Sequence, residues 1–141
     1  MTDIKVFNNL SADAMLVRKT VFIDEQGFKD EFDETDKTAT HLVAYDGNKP
    51  IAVCRFFWSD ERASYLIGRL AVIREYRGLQ LGAKMIKKSE ELIKKKGGKE
   101  VWLHSQEQAV EFYKKQGYRV CSEMEYEEFC PHYWMKKDLF V

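Results

Sequence analysis

At 141 residues, with 45% apolar and 33% charged side chains, the chain has the size and composition of one folded domain, 1–141, with a core of its own. Its 23 basic and 23 acidic residues cancel to a formal charge of +0, which argues against a general nucleic-acid or membrane-surface binder. Cys54, Cys121 and Cys130 are widely spaced, with no Cys-x-x-Cys, no leader-like N-terminus and no long apolar run, so spacing indicates no disulfide framework, metal site or membrane span, and a cytoplasmic protein is expected.

Ile4-Lys5-Val6-Phe7 alternates and is bounded by Asn8-Asn9, which predicts a first strand. Ser11 is placed as the N-cap of a helix with Asp13 in its first turn, an apolar stripe of Ala14, Met15, Val17, Val21 and Phe22, and a stop at Gly27. The run from Phe28 to Ala39 is acidic, with Asp30, Glu31, Asp33, Glu34 and Asp36. It reads either as a solvated loop or as an acidic wall that attracts a cationic amine; Phe28 and Phe32 need something to pack on. Thr40–Tyr45 reads as a strand, Asp46-Gly47-Asn48 as a hairpin turn, and Ile51–Trp58 as the returning strand. Ser59–Arg62 turns the chain into a further strand, Tyr65–Ile73. Three antiparallel strands in succession followed by a long helix predict an α+β meander.

That helix carries Leu81, Met85, Ile86, Leu92 and Ile93 at helical spacing, ends in Lys94-Lys95-Lys96 and stops at Gly97-Gly98. Between strand and helix lies Arg74-Glu75-Tyr76-Arg77-Gly78-Leu79-Gln80-Leu81-Gly82-Ala83. A helix start offers unpaired N–H groups and partial positive charge, glycines allow close approach, and Arg77 adds a full charge, so the expected occupant is an anion, above all a phosphate. Glu100–His104 is a compact strand. Ser105-Gln106-Glu107-Gln108 has the form of a capping box and predicts a helix with Ala109, Phe112 and Tyr113 inward, closing at Gly117. Tyr118–Tyr126 and His132–Lys137 are predicted as the last strands. Cys54 and Cys121 read as small core residues and Cys130 as a loop residue. His104 and His132 lack metal-ligand spacing and read as structural imidazoles.

Two of these motifs carry a resemblance. Arg77-Gly78-Leu79-Gln80-Leu81-Gly82-Ala83 after a strand ending Leu70-Ala71-Val72 resembles motif A of the GNAT family, the acyl-CoA-dependent N-acyltransferases. Gln106-x-x-Ala109-x-x-Phe112-Tyr113-x-x-x-Gly117-Tyr118 resembles a second pattern of that family. Arg18-x-x-Val21-Phe22-x-x-Glu25-Gln26-Gly27, Glu31-x-Asp33-x-x-Asp36 and Phe129-x-Pro131-His132-x-x-Met135 are similar to the ElaA/YjcF-like subgroup. The resemblance covers nearly the whole chain. It implies a central mixed, mostly antiparallel sheet flanked by helices, in three layers, and transfer of an acetyl group from acetyl-CoA to a primary amine of a small molecule or peptide, by direct transfer in a ternary complex, without a metal. The backbone at Leu70, Ala71 and Val72 would hold the pantetheine arm, the turn Arg77, Gly78, Leu79, Gln80, Leu81, Gly82 and Ala83 the pyrophosphate, and Gln106 would lie at the coenzyme's pantetheine end. One departure is Gln80, where the family usually has glycine; at helix-like dihedrals it would still offer its N–H. A homodimer through the late strands is the family expectation; a cationic acceptor is suggested by the acidic segment.

The chemistry sets the roles sought. An alkylamine of pKa about 10.4 is about three units above neutrality, so freeing its lone pair costs about 4 kcal/mol, and Glu25 and Glu31 are the candidate proton acceptors, with Asp33 and His41 behind them. Tyr113 is the candidate donor to the departing thiolate; a phenol of pKa about 10 facing a thiol of about 8.5 makes that transfer uphill by about 2 kcal/mol. The alternative is a non-catalytic acyl-CoA-binding or sensor module of the same fold. The turn lacks Gly-Lys-Ser/Thr and the Gly-x-Gly-x-x-Gly spacing, which argues against a nucleotide-phosphate binder.

Overall fold

The computed structural model describes residues 2–140. The first strand, β1 (Thr2–Phe7), leads to α1 (Ala12–Arg18), where the Ser11 hydroxyl accepts from the Ala14 N–H as a cap. The helix does not run on regularly to Glu25. Its continuation, Lys19–Glu25, is π-wound, and the chain leaves it through i→i−5 bonds such as Gln26 N–H to Val21 O. Such wide turns often mark functional positions.

Strands β2 (Thr40–Asp46), β3 (Lys49–Ser59) and β4 (Ser64–Val72) form the expected antiparallel meander. After β4 come α2 (Leu81–Lys95), β5 (Glu100–Gln106), α3 (Val110–Lys115), the short strands β6 (Arg119–Val120) and β7 (Glu125–Glu127), and β8 (Cys130–Asp138). The sheet order is β1-β2-β3-β4-β5-β8-β6, with β7 paired to β8; only the β4–β5 pair is parallel. This is the expected mixed α+β architecture. The stretch Tyr118–Tyr126 is not one strand: residues 121–124 interrupt it between β6 and β7. Ser105 caps nothing, because β5 runs on to Gln106 and the Ser105 hydroxyl donates to the Gln106 carbonyl. Cys121 is exposed and Cys130 buried, the reverse of their sequence reading.

The two faces of the sheet carry different chemistry. On one, α2 buries Leu81, Met85, Ile86, Ser89 and Ile93, and the Cys54 thiol of β3 meets the Ser89 hydroxyl at 3.2 Å. Burial lifts that thiol to about 12, so it stays protonated. Glu90 of α2 accepts from the Tyr118 hydroxyl at 2.7 Å and from Lys137 at 3.0 Å, tying the helix to the end of β8. The other face takes α1 and the acidic segment. Among the described residues, no helix is long and apolar enough to cross a membrane.

Candidate active site

The β4–β5 ladder consists of two pairs, Tyr65 with Val101 and Leu66 with Trp102. Beyond them the strands part. The β5-facing edge of β4 from Ile67 to Val72 is therefore without a ladder partner, although its other edge is paired to β3 as far as Val72. Backbone N–H and C=O groups left open on such an edge are ready partners for an extended amide-bearing ligand. At the point of divergence β4 is bulged: Arg69 and Leu70 together oppose Cys54, and Arg69 has φ +53. The bulge breaks the alternation expected of Leu70, Ala71 and Val72, and of these three only Ala71 is buried.

The turn after β4 leads into a helix as expected, with one correction to its dihedrals. Gly78 has φ +82 and Gln80 has φ +64, the left-handed region, not helix-like dihedrals. This conformation explains why glycine suits the position; Gln80 keeps its N–H but holds a conformation that costs about 1–2 kcal/mol. No side chain caps the start of α2, so its first amides are open to a ligand. Leu79 is exposed and Leu81 is anchored in the core. Gly82 serves packing: a Cβ there would stand 3.1 Å from Phe112 Cζ of α3. The absent side chain thus sets the turn directly against the second motif. An open depression along α2 beside Gln80 and Ala83 is lined by Lys84, Lys87, Lys115 and Lys137.

Arg77 and Glu25, expected to serve different reactants, hold each other. The guanidinium donates to both Glu25 oxygens at 2.7 Å and to the Val72 carbonyl at 2.9 Å. The Arg77 hydrogen bonds hold the Glu25 carboxyl below its usual range. Val72 O is occupied by this contact. Gln106 at the end of β5 donates to Oε1 of Gln26, the residue after the π-wound segment, at 2.8 Å.

Glu31 and its neighbours form an internal ion cluster. Arg18 donates to Glu31 at 2.8 Å and to Asp36 at 2.6 Å; Arg55 donates to Asp33 at 2.6 Å and to Asp36 at 2.7 Å; Arg69 lies 3.1 Å from Glu31 and 3.2 Å from Asp33. Three arginines thus balance three carboxylates, and the acidic segment turns these charges inward. Burial pushes Glu31 up against the pull of Arg69 and Arg18. Burial acts the same way on Asp36, but the hydrogen bonds and charges of Arg18 and Arg55 outweigh it and hold that carboxyl well below the usual range. His41 is buried and donates Nε2–H to the Asp36 carbonyl at 2.9 Å.

Tyr113 sits on the α2 face, 9% exposed, with its ring edge-on to Phe112 and Tyr118. Its hydroxyl has no hydrogen-bond partner among the described residues. Burial first, and then the nearby Cys54, push its pKa up, so it holds its proton firmly.

One cluster was not visible in the sequence. His104 of β5, Glu127 of β7 and His132 of β8 bring their polar atoms within 4.8 Å of one another. His104 Nδ1 and Glu127 Oε1 are 2.7 Å apart, and the His104 ring stacks on Trp134 with centroids at 4.4 Å. His132 donates Nδ1–H to the Cys130 carbonyl at 3.0 Å. Three strands supply these groups, so no sequence spacing could announce them; Phe129-x-Pro131-His132 was the nearest signal.

Known proteins resemble the chain over most of its length. The family model described as acetyltransferase (GNAT) domain matches residues 8–139. The uncharacterized N-acetyltransferase YjcF of Bacillus subtilis (strain 168) is 37% identical over 129 residues, spanning 89% of this chain and 91% of YjcF. YyaT of the same organism is 34% identical over 132 residues, spanning 90% of this chain and 88% of YyaT. The crystal structure of Escherichia coli ElaA superposes with a TM-score of 0.84 at 25% identity, covering 97% of this chain and 99% of that one.

Proposed function

The chain belongs to the GNAT acetyltransferase family, and from that premise we propose that it transfers an acetyl group from acetyl-CoA to a primary amine of a small molecule or peptide, by direct transfer in a ternary complex. The observation that carries this reading is the contact between the two motifs. The uncapped start of α2 packs through Gly82 onto Phe112, and the residue after Phe112 is Tyr113, whose hydroxyl has no hydrogen-bond partner among the described residues. A pyrophosphate on the amides of residues 78–83 leaves the pantetheine arm the unpaired edge of β4 at Leu70 and Ala71 to run along. The lysines beside Gln80, Lys84 and Lys87 among them, suit the coenzyme's remaining phosphate. In this reading Arg77 is a positioned charge, fixed by Glu25, and Gln106 ties the end of β5 to Gln26.

The thioester then lies in the gap between β4 and β5, with its sulfur toward Tyr113. The amine attacks the carbonyl carbon; as the tetrahedral intermediate collapses, the C–S bond breaks and the sulfur takes the phenolic proton. A backbone N–H near Ala71 polarises the carbonyl oxygen. Glu31 serves by holding the acidic segment to α1 through Arg18 and to β4 through Arg69.

Thiol release from acetyl-CoA, measured across a panel of polyamines, aminoglycosides and lysine peptides, tests the reading, with a thermal-shift titration of coenzyme A alongside. Turnover on at least one amine is expected. A coenzyme-dependent shift with no thiol release on any amine would instead favour a sensor. Tyr113→Phe is expected to lower kcat by about 10²–10⁴-fold while coenzyme affinity stays within about twofold; an unaltered kcat would remove Tyr113 from its role.

A further inference from the structure

The proposed chemistry leaves the amine's proton without an assigned acceptor. Glu25 is committed to Arg77 through both oxygens, and Glu31 faces inward among arginines at 5% exposure. The β4–β5 gap has a second side, and a different group stands there. Along β5, Val101, Leu103 and Ser105 are buried in the core. His104 alternates with them and points to the opposite face. Tyr113 shares the α2 face with Cys54, so His104 and Tyr113 flank the gap from opposite sides of the sheet. His104 lies two residues beyond the last β4–β5 pair, where the strands have opened.

The hydrogen bonding of His104 fixes its tautomer. An ionised carboxylate only accepts, so the 2.7 Å contact with Glu127 requires a proton on Nδ1. Nε2 then carries the ring's lone pair. That atom is buried and has no hydrogen-bond partner among the described residues. A buried acceptor left unpaired costs about 1–3 kcal/mol, which asks for a partner supplied from outside the protein. Glu127 holds its carboxylate form: the hydrogen bond from His104 outweighs burial and keeps it below the usual range. Three side chains contact the imidazole: Glu127 of β7 at Nδ1, the His132 ring of β8 with centroids at 4.7 Å, and Trp134 of β8, which stacks on it; the Arg69 charge of β4 acts on both Glu127 and His132.

We propose that His104, oriented by Glu127, accepts the proton of the attacking amine. This rests on the acetyltransferase reading above. The ammonium form of the amine first gives its extra proton to solvent; as the N–C bond forms, a proton of the now neutral amine passes to Nε2, directly or through one water, and the imidazolium is stabilised by Glu127. The sulfur leaves with the Tyr113 proton, and the proton on His104 returns through water to the phenolate, restoring both groups. A zinc ion shared by the same side chains is the competing use. Two ligands each 2.0–2.1 Å from a tetrahedral zinc stand roughly 3.3 Å apart, whereas Nδ1 and Oε1 stand at the 2.7 Å of a hydrogen bond.

The test is thiol release from acetyl-CoA by the full chain, with spermidine, kanamycin, a lysine peptide or water alone as nucleophile, as a function of pH. His104→Gln is expected to lower kcat by about 10²–10⁴-fold and to abolish the acidic limb of the wild-type profile, with coenzyme A affinity by calorimetry unchanged. Glu127→Gln is expected to lower kcat less and to move that limb to lower pH, because the imidazolium loses its counter-charge. Glu127 is 48% exposed, so this variant carries the test should His104→Gln not fold. A wild-type rate and pH profile in both variants, with coenzyme still bound, would overturn the assignment. So would the absence of thiol release from the wild type in every arm, or a rate lost to chelator and restored by Zn²⁺. Failure of coenzyme A to bind the wild type would sink the acetyltransferase reading itself.

Discussion

Gln80 stands at φ +64 in the turn that opens α2. A side chain in that region is held there by its surroundings, and the same position in glycine would be relaxed. Gln80→Gly removes about 1–2 kcal/mol of strain and returns about 0.5–1 kcal/mol as extra freedom of the unfolded chain. The net expectation is a gain of up to about 1.5 kcal/mol, a rise in Tm of up to about 6 °C, with coenzyme A affinity kept or improved. Scanning calorimetry with and without coenzyme measures both; a lower Tm would mean that the glutamine side chain makes a contact worth more than its strain. Arg77 is a second case at this scale. Its guanidinium is shared between Glu25 and the Val72 carbonyl, so its charge is oriented before any ligand arrives. The motif made both Arg77 and Gln80 legible in the sequence as members of the turn. The left-handed dihedral and the bidentate partner 52 residues away are tertiary facts that a local pattern does not carry.

The acidic segment shows what an element can gain from long-range charge. Its single 3₁₀ turn, Glu34–Lys37, begins with a capping box between Asp33 and Asp36, and the same two carboxylates receive Arg55. Removing one partner from a buried network leaves an uncompensated charge, which costs about 3–5 kcal/mol. Arg18→Leu and Asp36→Asn are both expected to lose stability on that scale, read as a fall in the urea midpoint. The pH dependence has a definite sign. The folded-state pKa values of Asp33 and Asp36 are depressed, so their pairs stabilise fully above the unfolded carboxylate range, about pH 4, and that share is lost as pH falls through the folded values. Glu31, which burial raises, contributes the opposite slope: its share is present when it is protonated and shrinks as pH rises through its folded value. Urea midpoints measured from pH 7 to pH 2 are expected to drop steeply below about pH 4 in the wild type and less steeply in Asp36→Asn; parallel curves would show that Asp36 carries no such linkage.

The elements themselves were largely legible. Apolar spacing gives the α2 core face of Leu81, Met85, Ile86 and Ile93, and Ser11 marks the start of α1 as a cap. What escaped were features that need a partner strand to exist. The bulge at Arg69 is defined only against Cys54 of β3, and residues 121–124 break a run whose alternation was sound. The acidic run reads as a solvated loop or as a wall for a cationic amine because composition cannot tell an inward carboxylate from an outward one. His104, Glu127 and His132 are 5–28 residues apart in sequence and meet only because β5, β7 and β8 meet.

For the whole molecule, the organising event is the parting of β4 and β5 after a two-pair parallel ladder. Everything proposed for the chemistry uses that gap. The phosphate turn follows the strand on one side of it, Tyr113 lies on the α2 face, and the His104–Glu127 pair lies on the other. The outer side is bridged by the Gln26–Gln106 hydrogen bond, the Phe28–Phe129 stack at 5.1 Å, and the Lys29 and Asp30 amides that donate to Glu128. The most direct measurement of the account is a crystal structure of the coenzyme A complex. The pyrophosphate is predicted on the amides of residues 78–83, with the pantetheine arm along the free edge of β4 and the sulfur within hydrogen-bond reach of the Tyr113 hydroxyl. A pyrophosphate bound elsewhere, or a sulfur remote from that hydroxyl, would contradict it.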